Sequence, residues 1–232
     1  MSAQLRIEDL RAWYGAAQVL HGVNLCIGEG EAVALVGRNG SGRSTLAKAI
    51  MGLVRCAGEM RYRDVALVGL RPHRIARLGI GYVPETRDVF PALTVRENLV
   101  LGERKGSRFS LRDAYRLFPV LEERASVKAG ALSGGEQQML ALARTLAGDP
   151  SLVVIDEPGE GLAPQVLAQV AACLATLRER GVAMLLIEER LTIARTLDAR
   201  VAVMGHGAIQ FDGAMGALAA DERVMRDWLS IG

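Results

Sequence analysis

The chain has 232 residues, 50% of them hydrophobic and 4% aromatic, with 26 glycines and a formal net charge of +2. That is enough apolar material for one sizeable α/β domain or a domain with a small appendage, and it excludes a disordered chain. The 28 basic residues are spread along the length rather than gathered in a tail, so charge makes no case for a nucleic-acid partner. Cys26, Cys56 and Cys173 are odd in number, far apart and without metal-ligand spacing. They read as reduced, buried thiols of a cytosolic protein, with no disulfide. Apolar runs such as residues 182–187 are strand-sized, far short of the roughly 20 residues that span a bilayer, and residues 1–6 lack the pattern of a signal peptide. Membrane contact is therefore expected only through a partner.

In chain order, residues 5–10, 19–27 and 32–36 alternate and turn like a small β-layer, with Gly15, Gly22, Gly28 and Gly30 at the turns. Tyr14 sits on the first turn, where an aromatic can stack on an adenine base or simply pack. The apolar run 33–36 then breaks into Gly37-Arg38-Asn39-Gly40-Ser41-Gly42-Arg43-Ser44-Thr45 and a helix-compatible run, 46–51. Strand, glycine loop and helix make a phosphate loop: glycines at 37, 40 and 42 permit turns in which successive N–H groups point inward at a helix N-terminus. Ser44 stands where the pattern G-x-x-x-x-G-K-[ST] places a Mg²⁺-holding hydroxyl, but Arg43 occupies the lysine position.

Residues 58–65 read as a short strand, 72–78 as one or two helical turns, and 80–84 as a strand ending at Glu85. From 86 to 131 the apolar residues change to helical spacing, which predicts a helical subdomain inserted into the α/β core. Thr94-Val95-Arg96-Glu97 has capping-box spacing, and residues 102–110 read as a loop. The subdomain closes on Leu132-Ser133-Gly134-Gly135-Glu136-Gln137, where two glycines and a serine precede a helix predicted over 137–147. Such a start is an anion nest or an ordinary capped helix. The strand 152–155 ends in Asp156-Glu157. Downstream of a phosphate loop, this pair suits an acid that orders Mg²⁺ and an acid that polarises the attacking water. A helix over 164–180, a strand over 183–187 ending in Glu188-Glu189, a helix over 191–197, strands over 201–204 and 208–211, and a terminal helix over 221–229 complete the reading, with no internal repeat.

Taken together, Tyr14, residues 37–45, 132–138 and 152–157 resemble, in order and spacing, the nucleotide-binding domain of ATP-binding cassette transporters. Val83-Pro84-Glu85-Thr86-Arg87-Asp88-Val89-Phe90-Pro91 and Gly161-Leu162-Ala163-Pro164 are similar to the second ATPase subunit of branched-chain amino acid importers. The resemblance implies one cassette over residues 1–232: a P-loop NTPase, RecA-like core (1–85 and 136–232) with an N-terminal antiparallel β-layer and a helical subdomain (86–135). It implies ATP and Mg²⁺ as ligands, with Tyr14 on adenine, residues 37–45 around phosphates, and Ser44, Glu85 and Asp156 around the metal. Glu157, with Glu85 and Glu189, falls at catalytic positions. Leu132, Ser133, Gly134, Gly135, Glu136 and Gln137 form a signature that acts in trans, in a head-to-tail dimer with a second ATPase subunit or with itself. Permease subunits, and through them a solute-binding protein, are the implied partners, with the chain peripheral on the cytoplasmic face of the membrane.

The departures from the family pattern are as specific as the matches. Arg43 replaces a lysine, and a planar guanidinium is not a conservative exchange for a compact ammonium. Glu189 replaces the switch histidine of the wider family, Glu85 replaces a glutamine, and Gly159 replaces a small hydroxyl residue. At Glu85 the amino-acid-importer branch resembles this chain, but Arg43 and Glu189 hold open a second reading, a binding-only or weakly active partner whose signature serves a companion's site. Urea and amide importers have ATPases of similar pattern.

Overall fold

A computed structural model describes residues 3–229. The strands are β1 (Ala3–Tyr14), β2 (Ala17–Gly28), β3 (Ala32–Val36), β4 (Arg55–Tyr62), β5 (Val65–Ala66), β6 (Ile80–Val83), β7 (Leu152–Asp156), β8 (Ala183–Glu188), β9 (Arg200–Gly205) and β10 (Ala208–Gly213). The helices are α1 (Arg43–Ile50), α2 (Pro72–Arg77), α3 (Val95–Gly102), α4 (Leu111–Leu117), α5 (Pro119–Glu123), α6 (Gly134–Ala147), α7 (Pro164–Glu179), α8 (Thr192–Thr196), α9 (Met215–Ala220) and α10 (Glu222–Trp228).

Two sheets result. One is a four-stranded antiparallel layer in the order β2-β1-β4-β5, the other a six-stranded sheet in the order β10-β9-β3-β8-β7-β6. In the larger sheet only β10 runs antiparallel. Its central strands β3, β7 and β8 are buried at every position, as continuous apolar runs covered on both faces are. Ala32, Ala34 and Val36 of β3, with Met184 and Leu186 of β8, pack against α6, α7 and α8. Val33 and Leu35, with Leu185 and Ile187, pack against α1 and the antiparallel layer. The predicted β-layer therefore needs a correction: residues 32–36 leave it. Their hydrogen-bonding partners are β8 and β9, so β3 is a central parallel strand, while β4 takes the place expected for it beside β1.

The helices α3, α4 and α5 bury Val95, Leu99, Ala114 and Leu121 against the same core as α6. The expected capping box closes both ways: the Thr94 amide donates to Glu97 Oε2 at 2.7 Å and the Glu97 amide to Thr94 Oγ1 at 3.2 Å. Ser110 and Asp113 form a second box that starts α4. Helix α6 begins at Gly134 rather than 137, because Ser133 is its N-cap and takes the Glu136 amide. The two signature glycines are thus its first two residues. Of the cysteines only Cys173 is buried; Cys26 is exposed and Cys56 half-buried, correcting the expectation of three buried thiols. Among the described residues no helix is long and apolar enough to cross a membrane.

Candidate nucleotide site

The phosphate loop runs from the end of β3 to the start of α1. Gly42, the residue before α1, has φ +108°, a conformation that demands glycine, and a Cβ there would also press on Leu20 Cδ2 at 2.9 Å. The loop is braced from below. The Gly207 amide donates to the Ser41 carbonyl at 2.9 Å, and the His21 amide donates to the Gly207 carbonyl at 2.8 Å, tying loop, β2 and the β9–β10 turn together. Gly207, at φ +74°, packs its Cα so close to the Val19 carbonyl that no side chain fits.

A cleft of about 580 Å³ opens over the loop. Its walls are residues 39–45, Val19, Glu85, Glu157, Glu160 and Glu189. Ser44 and Asp156 meet at its floor, the Ser44 hydroxyl donating to Asp156 Oδ1 at 3.1 Å. They lie 112 positions apart in sequence and are joined because β7 and the β3–α1 turn share one edge of the parallel sheet. Burial pushes the Asp156 carboxyl up, the Ser44 hydrogen bond pulls it down, the Glu85 carboxylate pushes it up, and Arg43 and Lys48 pull it down.

Glu157 follows directly, in a left-handed backbone conformation at φ +49° that is fixed by its amide's hydrogen bond to the Ile187 carbonyl at 2.8 Å. Its two carboxylate oxygens have separate partners: Oε1 lies 3.1 Å from Arg43 Nη1, and Oε2 accepts the Glu189 amide at 3.1 Å. Burial raises its pKa, Arg43 and the Glu189 amide oppose the rise, and the Asp156 and Glu160 carboxylates add to it. A carboxyl raised in this way at the end of a parallel strand is suited to accept a proton. Arg43 itself is buried; its Nη2 donates to Asn39 Oδ1 at 3.2 Å and its Nη1 also donates to the Glu188 carbonyl.

The structure therefore brings Asn39 to Thr45, Glu85, Glu157 and Glu189 to one cleft, with Asp156 buried beneath Ser44; Gly37 and Arg38 are not among its walls. Tyr14, at the end of β1 and 46% exposed, is not among the cleft's walls. Neither are Leu132 to Gln137, whose N-terminal nest opens elsewhere on the chain's surface. Three residues to which the sequence assigned no role matter here. Asn98 is fully buried; its amide donates to the carbonyls of Phe90 and Thr94 at 3.0 Å, and its Oδ1 accepts the Phe90 amide at 2.9 Å, fixing the turn after Glu85. Arg87 lies against Gly134 and donates to the Glu160 carbonyl at 3.4 Å, linking that turn to the signature. Glu188 is 4% exposed, with neither carboxylate oxygen in a hydrogen bond of good geometry. Burial pushes it up to about 7, the Ile193 and Ala194 amides oppose the rise, and the Glu157 charge adds to it. Asn98 follows a capping box, Arg87 lies in the 83–91 run and Glu188 ends an acidic strand, but none of these patterns gives the residue its role.

The donors present fit a Mg²⁺ nucleotide. Ser41 Oγ is buried in the loop without a hydrogen-bond partner, as a group awaiting phosphate would be. Ser44, Asp156 and Glu85 offer only oxygens, the donor type that Mg²⁺ takes. Among the described residues no three acidic, histidine or cysteine side chains converge on one point. Phosphate and water oxygens would complete the coordination, as is usual for Mg²⁺.

Known proteins resemble this chain in sequence and in fold. The profile of the ABC transporter family matches residues 20–160. The chain is 38% identical over 230 residues to the high-affinity branched-chain amino acid transport ATP-binding protein BraG of Pseudomonas aeruginosa, covering 97% of this chain and 99% of that one. Among solved structures, a nucleotide-free ATP-binding cassette from an ABC transporter superposes with a TM-score of 0.84 at 26% identity, over all of both chains. A dimeric post-hydrolysis cassette bound to ADP and phosphate superposes with a TM-score of 0.80 at 25% identity, over 91% of this chain and 98% of that one. Because the profile match and the end-to-end similarity point the same way, the chain belongs to the ABC transporter family, as one of its ATP-binding subunits.

Proposed function

We propose that this chain is the ATP-hydrolysing subunit of an importer of branched-chain or other hydrophobic amino acids, held at the cytoplasmic face of the membrane by permease subunits. The observation that carries the substrate class is the end-to-end similarity to BraG, which is itself a branched-chain amino acid transport protein. In this reading residues 37–45 wrap the phosphates of ATP, and Tyr14 stacks on adenine. Ser44, Asp156 and Glu85 hold Mg²⁺, which neutralises charge on the phosphates when bound. Glu157 accepts the proton of the attacking water, and Glu189 orients it through its backbone amide.

The signature residues Leu132 to Gln137 lie outside the chain's own cleft. They are thus available to a nucleotide held by another copy or by a companion subunit, and one of the similar cassettes is a dimer. Core segments 1–85 and 136–232 hold nucleotide, and residues 86–135 carry the contact with the permease. Phe90, Val100 and Leu101 are exposed there, and a groove of about 740 Å³ beside Val100 and Leu101 offers an apolar seat for a membrane-subunit helix. A solute-binding protein would act one step removed, through the permease.

Arg43 and Glu189 support a second reading, in which the chain's own site is slow and its signature completes a companion's active site. Co-purification with its permease and companion ATPase, followed by ATP turnover of the chain alone and of the assembly, tests both. Turnover by the assembly with none by the chain alone favours the second reading; association with no membrane subunit contradicts the first.

A further inference from the structure

We propose that Glu157 and nucleotide phosphate compete for Arg43, so that the arginine at the phosphate-loop position is a positioning residue that latches the candidate base until nucleotide arrives. The proposal rests on the functional reading above. Its basis is an ion pair between the start of α1 and the end of β7 that a lysine of shorter, single-point charge would span differently: Arg43 Nη1 to Glu157 Oε1 is 3.1 Å, with side chains 7% and 17% exposed. The guanidinium is held on three sides, by Glu157, by Asn39 Oδ1 at 3.2 Å and by the Glu188 carbonyl. A planar fork allows this, whereas an ammonium presents one compact charge.

The electrostatics of the position explain why the partner is needed. Arg43 is the first residue of α1, at the positive end of the helix macrodipole, where a cation is unfavourable unless an anion balances it. In this structure the balancing anion is the Glu157 carboxylate. Phosphate at the same helix N-terminus is the other anion that fits, and it meets the same guanidinium. One guanidinium already tied to Glu157, Asn39 and the Glu188 carbonyl has to release the carboxylate to meet phosphate squarely. Nucleotide binding would then free Glu157 for water, and Glu157 would weaken nucleotide binding by holding Arg43 back.

A double-mutant cycle on the intact chain tests this with the non-hydrolysable analogue AMP-PNP and Mg²⁺, read by titration calorimetry. Glu157→Gln should tighten AMP-PNP binding by at least about fivefold more when Arg43 is present than in the Arg43→Ala background. Equal factors in the two backgrounds would overturn the proposal, because the lost carboxylate charge would then act on nucleotide directly. The melting temperatures of the four proteins without nucleotide give a second readout. The two substitutions should couple there, and strict additivity would also overturn the latch. If Arg43→Ala unfolds, Arg43→Gln completes the same cycle. A parent chain that binds no AMP-PNP at all would instead contradict the functional reading on which the latch depends.

Discussion

Replacing Glu188 with glutamine should stabilise the protein, and by more at pH 8 than at pH 5.5. Glu188 ends β8, is 4% exposed, has neither buried carboxylate oxygen in a hydrogen bond of good geometry, and burial raises its pKa from 4.5 to about 7. A raised carboxyl pKa means that the folded state holds a proton more tightly than the unfolded one. Its contribution to stability is therefore fully present below pH 4.5 and is lost as pH climbs toward about 7. Ionised and buried, it costs about 3 kcal/mol above that range, and about 1.4 kcal/mol at pH 5.5, where the unfolded carboxyl is already mostly charged. Glutamine carries no charge at any pH. The gain from Glu188→Gln should then be larger at pH 8 by about 2 kcal/mol. Urea unfolding of parent and variant at the two pH values measures it directly. An equal gain at both, or a loss at pH 8, would refute the argument that burial dominates at this residue.

Gly42→Asp should weaken Mg²⁺-ATP binding by about tenfold or more, since it forces a side chain at φ +108° and sets a carboxylate beside the phosphates; unchanged affinity in an equilibrium titration would remove the nucleotide from this loop. Asn98→Ala should lower unfolding free energy by about 2 kcal/mol, because it strips partners from the Phe90 amide and from the Phe90 and Thr94 carbonyls. A shift in urea midpoint equivalent to less than about 0.5 kcal/mol would show that the turn after Glu85 is held otherwise. Ser133→Arg should reduce turnover of the assembled ATPase pair by about a hundredfold while leaving this chain's own nucleotide affinity intact. Parallel loss of affinity in the isolated chain would place the signature in the chain's own cleft.

The phosphate loop was legible because its chemistry is local: a strand, three glycines and a helix stand in one run, and each glycine answers a steric demand that no neighbour can supply. The acidic strand end 156–157 and the Thr94–Glu97 cap were readable for the same reason. Sheet membership was not. Residues 32–36 look like the two apolar runs before them, and only their pairing with β8 and β9, about 150 residues later, places them in the parallel sheet. The start of α6 was misplaced because glycine is a poor helix former; the serine cap overrides that preference at Ser133. The Arg43–Glu157 pair lies beyond any sequence pattern. Arginine at the lysine position was visible, but its partner is 114 residues away, and only the folded sheet edge brings the two together.

Glu157, at the end of β7 and facing the phosphate loop, is the proposed proton acceptor in ATP hydrolysis. The most direct test of that role is steady-state ATP turnover with Mg²⁺ by the parent and by Glu157→Gln, each assembled with the same companion subunits and with nucleotide binding measured alongside. Glutamine keeps an oxygen for the Glu189 amide but cannot take the proton of the attacking water. Turnover at this chain's site should fall by at least about a hundredfold while nucleotide still binds. Equal turnover by the two proteins would contradict the assignment.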